Sequence, residues 1–441
     1  LAGSLRAAGH EVIVVDCHKV TSWVNEELVI HHELLEPCDI VGISATTANV
    51  SWGQQLAKAW PAKVKILGGS HATYLLRGPH ERFKTPKYFD GFDFVLLEEA
   101  EETFVRFCNG ERETCPNLCW FDSTGKLQRN APCGLPDVQR LAGPAFDLWP
   151  SQFFGGGLSA NGYDKKLNLN EAMTASTFWA RGCPYGCRFC ADARTKIREE
   201  SLVQVAAQLR LLATLGVSCI RIQDDVLTLR DSRCRELCDL LSAYGMRWRG
   251  NTRVNLVDNS LFKYMASHGC VELGFGCEHG SAKMLKLMQK GTTPEKNTAG
   301  IKMCQDAGMV AKGFLMLGFP GEDEQTIEEM KQWIIATKPS ACSWCLFQPF
   351  PGSDVWNNPQ NYGVTLPDNA FDRFWQQGLE GTEAELVLDL PTISKAALLR
   401  ARREIGELID REIGHRDRRR LDNGGLGGMG VWGQSAEPMM A

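Results

Sequence analysis

Short apolar, β-branched runs alternate with helical stretches along most of this chain, and few folds can absorb that alternation. A strand that is apolar throughout must be covered on both faces, which points to parallel strands joined by helices. Residues 12–15, 39–44, 64–67 and 94–97 are such runs; a helix over 54–60 is closed by Pro61, and an acidic helix start follows at residues 98–102. They predict a doubly wound open sheet over residues 1–115, with its ligand crevice at the strand carboxyl ends near Ser44 and Gly68-Gly69. Residues 116–172 break the rhythm with Pro116, Pro132, Pro136, Pro144 and Pro150, a hairpin around residues 122–125, and the turns Gly155-Gly156-Gly157 and Asn161-Gly162. This stretch reads as a linker with little core of its own.

From residue 173 the rhythm returns. Strands are predicted over 174–180, 219–223, 247–254, 271–275, 311–317 and 342–347, with helices over 201–215, 232–244, 261–268, 294–307 and 324–337 between them. Six βα units predict an incomplete barrel over residues 173–355, whose chemistry belongs at the strand carboxyl ends. Residues 356–421 read as a helical appendix containing a long amphipathic helix at 395–413 and a basic cluster at 416–420, taken as a solvated helix end. The glycine-rich residues 422–441 are expected to be disordered. Position 1 is leucine and residues 1–9 read as the middle and end of a helix, so the start of the natural chain is expected to be missing.

Composition narrows the function classes. The 441 residues include 17 cysteines, an odd total that excludes complete pairing within one chain. A chain this long does not need a disulfide framework, so free thiols or metal ligands in a reducing, cytoplasmic compartment are expected. The net charge of −5 gives no global case for a nucleic-acid binder. No run approaches 18 consecutive apolar residues, so no transmembrane segment is predicted.

The sharpest motif is Arg181-Gly182-Cys183-Pro184-Tyr185-Gly186-Cys187-Arg188-Phe189-Cys190, directly after the first predicted barrel strand. Three thiolates so close cannot complete a tetrahedral zinc site without a distant fourth ligand. They can hold three irons of a four-iron four-sulfur cluster and leave the fourth open. Gly182, Pro184 and Gly186 suit a loop wrapped round one corner of such a cluster.

This Cys-x3-Cys-x2-Cys loop resembles that of the radical S-adenosylmethionine (SAM) superfamily, and the resemblance covers most of residues 173–352. It implies that Cys183, Cys187 and Cys190 bind the cluster and act in catalysis. The open iron would chelate SAM, and electron transfer would cleave SAM to methionine and a 5′-deoxyadenosyl radical. Further segments fit. Asp224 and Asp225 close the second strand where the family uses polar residues to hold the SAM amino group, although an N-cap for the next helix explains them too. Arg253 ends the third strand and would bind the SAM carboxylate or a ribose hydroxyl, or simply pack. Residues 274–281, Gly-Phe-Gly-Cys-Glu-His-Gly-Ser, resemble the family's Gly-x-Glu-x-Gly-Ser segment, with Glu278 facing SAM. Residues 318–322 resemble its Gly-Phe-Pro-Gly-Glu turn, with Glu322 starting the next helix, and residues 349–353 resemble its Pro-x-Pro-Gly-Thr ending. Phe189 would pack near the adenine, or serve as a packing aromatic with no ligand.

An open parallel-sheet domain before such a barrel resembles the cobalamin-binding arrangement of class B radical SAM enzymes. The resemblance places Ser44, Thr46, Gly68, Gly69 and His71 along the cobalamin's nucleotide tail. Two departures stand out. The family usually shows Gly-Glu-Gly-Glu after the fourth strand, where this chain has Glu98-Glu99-Ala100-Glu101. The loop that would carry a cobalt-ligating histidine lies upstream of Leu1. The implied fold class is α/β: an N-terminal doubly wound, Rossmann-like cobalamin-binding domain truncated at its start, a partial (β/α)6 TIM-type radical SAM barrel, and a helical C-terminal appendix.

The other fourteen cysteines read mainly as packing residues. Cys234 and Cys238 share a helix face, whereas Cys342 and Cys345, three apart in a strand, point to opposite faces. A second metal site among Cys108, Cys115, Cys119 and Cys133 matches no motif, and Cys277 lies close enough to Glu278 for a substrate role. Tryptophans between residues 333 and 375 suit either a substrate cavity or packing.

Together these readings predict a radical SAM enzyme using a four-iron four-sulfur cluster, SAM and cobalamin, and methylating an unactivated carbon of a small-molecule or lipid-like substrate. An external reductant such as flavodoxin or ferredoxin is implied. A cyclase or rearrangement enzyme without methyl transfer is the second reading, and a non-catalytic cobalamin- or SAM-binding module the third.

Overall fold

The computed structural model describes residues 1–24, 27–149, 154, 158, 169, 172–368, 371, 374 and 386–413. The chain divides into two units. The first comprises Leu1–Leu148 with Phe350–Asn357 and Pro367–Trp375; the second comprises Trp149–Pro349, Asn358–Leu366 and Gln376–Ala441.

In the first unit β1 (Thr21–Val24) and β2 (Glu27–Ile30) pair as a separate antiparallel ribbon. The main sheet runs β3 (Cys38–Ser44), β4 (Ala62–Gly68), β5 (Phe94–Leu96), β6 (Leu118–Phe121) and β7 (Leu127–Arg129), in that order. The first three strands are parallel, and the last two add as an antiparallel hairpin. The sheet has a core on each face, as its apolar strands require. One core gathers Ile66, Leu96, Phe104, Phe107 and Leu118; the other gathers Ile43, Leu56, Ala57 and Trp60.

Two expectations are corrected here. Residues 12–15 belong to no strand, because Val12 packs into one core and Val15 into the other instead of joining a ladder. The hairpin assigned to a linker is the edge of this sheet, and Leu118 and Cys119 are buried in it. The first unit therefore continues past residue 115 to Leu148. The glycine turns at 155–157 and 161–162 lie outside the described residues.

The second unit is built on six parallel strands that neighbour one another in chain order. They are β8 (Thr174–Thr177), β11 (Cys219–Ile222), β12 (Arg247–Thr252), β13 (Cys270–Glu278), β14 (Val310–Leu317) and β15 (Ala341–Leu346). Between the first two stand β9 (Ala180–Arg181) and β10 (Arg198–Glu199), which pair antiparallel with each other. Helices fill the connections, and their starts are written in the sequence. Ser201 and Gln204 form a reciprocal capping box on Leu202–Thr214, and Asp323 and Thr326 do the same on Glu324–Thr337. Each such cap stabilises its helix by about 1 kcal/mol.

The helical appendix is also corrected. The long helix is present as Lys395–Glu412, capped by Ser394, but it packs within the second unit. Lys331 on Glu324–Thr337 reaches Glu404 at 2.5 Å, and Leu398 lies against Gly318 at the end of β14. Phe350–Asn357 and Pro367–Trp375, by contrast, contribute to the first unit. There Phe371 contacts Phe83 and Trp356. The basic cluster at 416–420 and the tail at 422–441 lie outside the described residues. No described helix is long and apolar enough to cross a membrane.

Candidate functional site

The three-cysteine loop leaves β9 and returns through β10, so the two-residue ribbon clasps its ends together. Inside the clasp the backbone supplies its own partners. The Cys183 N–H donates to Thr195 Oγ1 at 2.8 Å, the Thr195 N–H to the Cys183 carbonyl at 2.9 Å, and the Arg194 N–H to the Tyr185 carbonyl at 2.8 Å. Gly182 has φ +95°, and a Cβ there would stand 2.4 Å from the Lys196 carbonyl oxygen, so only glycine lets the two arms approach.

Cys187 is buried, while Cys183 and Cys190 are half-buried. Burial pushes the Cys190 thiol up to about 12, helped by Asp192, and burial also raises Cys183. Such thiols stay protonated until a metal replaces the proton. All 17 cysteines are free, and among the described residues no three metal-binding side chains converge on one point as a single ion would need. A donor set of three spread thiols fits the corners of an iron–sulfur cluster and not a mononuclear site.

Asp224 is 2% exposed, and its Oδ1 accepts the backbone N–H groups of Trp179 at 2.7 Å and Ala180 at 3.0 Å. It therefore ties the end of β11 to the chain entering the clasp. Burial pushes its carboxyl up to about 7 against those two donors. Asp225 beside it keeps contact with solvent, while its carboxyl turns toward the loop and takes a backbone hydrogen bond from Gly182; the partial desolvation there, with Asp192 nearby, pushes it up to about 6. A cleft beside the two aspartates is lined by Gly182, Val226 and Leu227.

Glu278 terminates β13 at an irregularity in its pairing with β14, in the left-handed region at φ 61°. Its Oε1 accepts from Lys290 Nζ at 2.6 Å, and both side chains are buried. Lys290 in turn lies 5.6 Å from the centre of the Phe189 ring. Gly276 keeps this pair possible, since a Cβ there would fall 2.5 Å from Lys290 Nζ.

Arg253 is 6% exposed, donating through Nη1 to Cys187 Sγ at 3.3 Å and through Nη2 to the Lys290 carbonyl. Its guanidinium carbon sits 4.0 Å from the centre of the Tyr185 ring. The Arg188 N–H donates to the Met288 carbonyl at 3.0 Å, so the segment ending in Lys290 forms a wall against the cysteine loop. Cys183, Cys187, Cys190, Phe189, Asp225, Arg253 and Glu278 are thus brought to one region, with Asp224 beneath it.

Sequence reasoning missed Lys290, which lies in no motif and meets Glu278 only through tertiary packing. It also read Glu322 as a helix start. Instead the Glu322 carboxylate accepts from Gly318 N–H at 3.1 Å and Thr326 Oγ1 at 2.6 Å and meets His279 Nε2 at 3.1 Å, joining the ends of β13 and β14. Cys277 is fully buried, and burial, with Glu278 and Cys342 nearby, raises its thiol. Trp333 is a packing residue whose Nε1 donates to the Pro294 carbonyl at 3.1 Å.

In the first unit Ser44 and Thr46 are exposed at the carboxyl end of the sheet, with Thr46 N–H donating to Asn49 Oδ1 at 2.8 Å. Gly68 ends β4, and Gly69 follows at φ +98°, where a Cβ would meet the Ala45 carbonyl oxygen at 2.5 Å. His71 is 1% exposed; Nδ1 meets Thr47 Oγ1 at 3.1 Å, and Nε2 has no partner among the described residues. Burial drops its pKa to about 3, so the ring is neutral. The orphaned Nε2 and the small residues at the sheet's rim fit a bound polar ligand there. Glu98 stands at φ 63°, so it keeps the left-handed turn a glycine would adopt, and it pairs with Arg77.

Residues 178–334 match the Radical SAM superfamily. An uncharacterized methyltransferase of Pyrococcus horikoshii, PH0819, is 26% identical over 72% of this chain and 68% of its own length. The anaerobic magnesium-protoporphyrin IX monomethyl ester cyclase of Rubrivivax gelatinosus is 27% identical over 81% of this chain and 64% of its own. The radical SAM methyltransferase TsrM from Kitasatospora setae, solved with cobalamin and a four-iron four-sulfur cluster, shares the fold with a TM-score of 0.57 at 16% identity, covering 73% of this chain and 65% of that one. The chain thus spans about two thirds of the length of these relatives.

Proposed function

Because this chain belongs to the radical SAM superfamily, we propose that it is a cobalamin-dependent radical SAM methyltransferase acting on an unactivated carbon. The observation that carries the reading is the clasped loop, which presents Cys183, Cys187 and Cys190 as three separated donors with Arg253 against Cys187. A cluster held there supplies the electron for reductive cleavage of SAM, and cobalamin supplies the methyl carrier.

The chain's own residues then divide the remaining work. Cys183, Cys187 and Cys190 hold iron. Asp225 offers a carboxylate to the SAM ammonium, a pairing that charge favours. Asp224 holds the loop in place from below. Glu278, Lys290 and Phe189 wall the opposite side, and the paired charges of Glu278 and Lys290 offer both a donor and an acceptor to a polar ligand. In the first unit Ser44, Thr46, Gly68, Gly69 and His71 would line the cobalamin site, which TsrM's bound cobalamin supports. The six parallel strands in chain order support a partial barrel. A low-potential reductant of the flavodoxin or ferredoxin kind, a small or lipid-like substrate, and a cytoplasmic setting complete the reading.

Anaerobic reconstitution followed by iron, sulfide and corrinoid quantification tests it. Four irons with bound corrinoid are expected, and four irons without corrinoid remove the methyltransferase half. Cys187→Ala should abolish SAM cleavage. The likeness to an anaerobic cyclase favours a second reading, ring closure without methyl transfer. Deoxyadenosine formed with no methylated product would select it.

A further inference from the structure

Arg253 poses a charge problem that its neighbours do not solve. A guanidinium is always charged, and a charge 94% removed from solvent is costly unless something opposite stands beside it. Among the described residues no carboxylate lies within ion-pair distance of Arg253. Its Nη1 is given to a sulfur, its Nη2 to a backbone carbonyl, its face to an aromatic ring, and its Nε to nothing. The buried Glu278 carboxylate is already taken by Lys290.

We propose that the countercharge of Arg253 is the thiolate-ligated cluster itself, and that Arg253 is a positioning residue that sets the cluster's reduction potential through its N–H to Cys187 Sγ. This rests on the cluster reading above. One-electron reduction by the external donor adds a single negative charge at the cluster and makes or breaks no bond in the chain. A fixed cation and an N–H donor at a ligating sulfur favour the more negative, reduced form, so they raise the potential. Tyr185, under the guanidinium, and the Lys290 carbonyl hold the donor in line. Two of the five guanidinium N–H groups are committed to Cys187 Sγ and the Lys290 carbonyl, so this role stands apart from the SAM-carboxylate contact expected at this position and does not compete with it.

The test is a redox titration of the reconstituted enzyme without SAM, followed by electron paramagnetic resonance. Arg253→Met removes charge and donor and should lower the midpoint; Arg253→Lys keeps the charge without the fork and should fall between it and the wild type. Iron and sulfide contents should match. An R253M midpoint equal to that of the wild type overturns the proposal. The wild type carries a second readout that survives failed variants. With guanidinium-labelled arginine (nitrogen-15), the reduced cluster should show a nitrogen hyperfine coupling, and its absence overturns the proposal as well. A wild type that assembles no four-iron cluster sinks the reading beneath, whereas a cluster with an unmoved midpoint sinks this inference alone.

Discussion

His279 and Glu322 meet at 3.1 Å with neither side chain exposed to solvent. The same carboxylate serves Gly318 N–H and Thr326 Oγ1, so one buried acidic side chain fixes two strand ends and a helix start. Glu322→Ala leaves the Gly318 N–H and His279 Nε2 buried without an acceptor, each worth about 1–3 kcal/mol, while Thr326 Oγ1 keeps the Asp323 carbonyl at 2.9 Å. A loss of about 3 kcal/mol or more is expected in urea unfolding, with Glu322→Gln retaining part of it. A loss below about 1 kcal/mol in E322A would show that the network is dispensable.

Asp224 predicts a contrast between two substitutions. Asp224→Ala orphans the Trp179 and Ala180 N–H groups and should loosen the entry to the clasp, lowering both stability and iron retention after reconstitution. Asp224→Asn keeps an acceptor oxygen and should preserve both. Because burial raises the Asp224 carboxyl from 3.8 to about 7, its contribution is full below pH 3.8 and is lost as pH rises through 7. The wild type minus D224N stability difference should therefore decline across that window and flatten above it.

His71 has the opposite sign. Its ring is held neutral, with a pKa of about 3 against 6.5 unfolded, so stability is full above pH 6.5 and drains as pH falls toward 3. The slope can reach about 1.36 kcal/mol per pH unit. Chemical unfolding of the wild type should show a steeper acid loss than His71→Gln. Equal slopes would mean that His71 is protonated without penalty.

Lys290 and Glu278 form a pair whose halves should not be removed singly. Lys290→Met leaves a buried carboxylate alone and should cost about 3–5 kcal/mol. The double variant Lys290→Met with Glu278→Gln should recover most of it. Additive losses in that cycle would rule out the direct coupling seen in the structure.

The features legible in the sequence were those written locally. The helix 324–337 was legible as a helical stretch between two strand patterns, and the cysteine loop from its glycines and thiols. What escaped depended on partners distant in the chain. Residues 118–129 read correctly as a hairpin, but strand propensity does not say which sheet a hairpin joins, and β6 found β5. Residues 12–15 are apolar enough for a strand, yet Val12 and Val15 serve different cores. Glu278 was identified as a site residue, while the lysine that neutralises it arrives from beyond an intervening helix. Asp224 reads from the sequence as a SAM ligand or an N-cap, and the backbone N–H groups of Trp179 and Ala180 that its Oδ1 accepts lie 45 and 44 residues away in the chain.

The clasp of β9 and β10 bears on how such an enzyme matures. Its backbone bonds join the two arms of the loop directly, so part of the cost of ordering that loop is met by the chain's own hydrogen bonds. Small zinc-dependent domains work the other way and stay unfolded until metal arrives. In this loop the two arms are tied to each other by the chain's own hydrogen bonds, so the spacing of the three thiols is governed by residues that touch no iron, Gly182 and Thr195 among them.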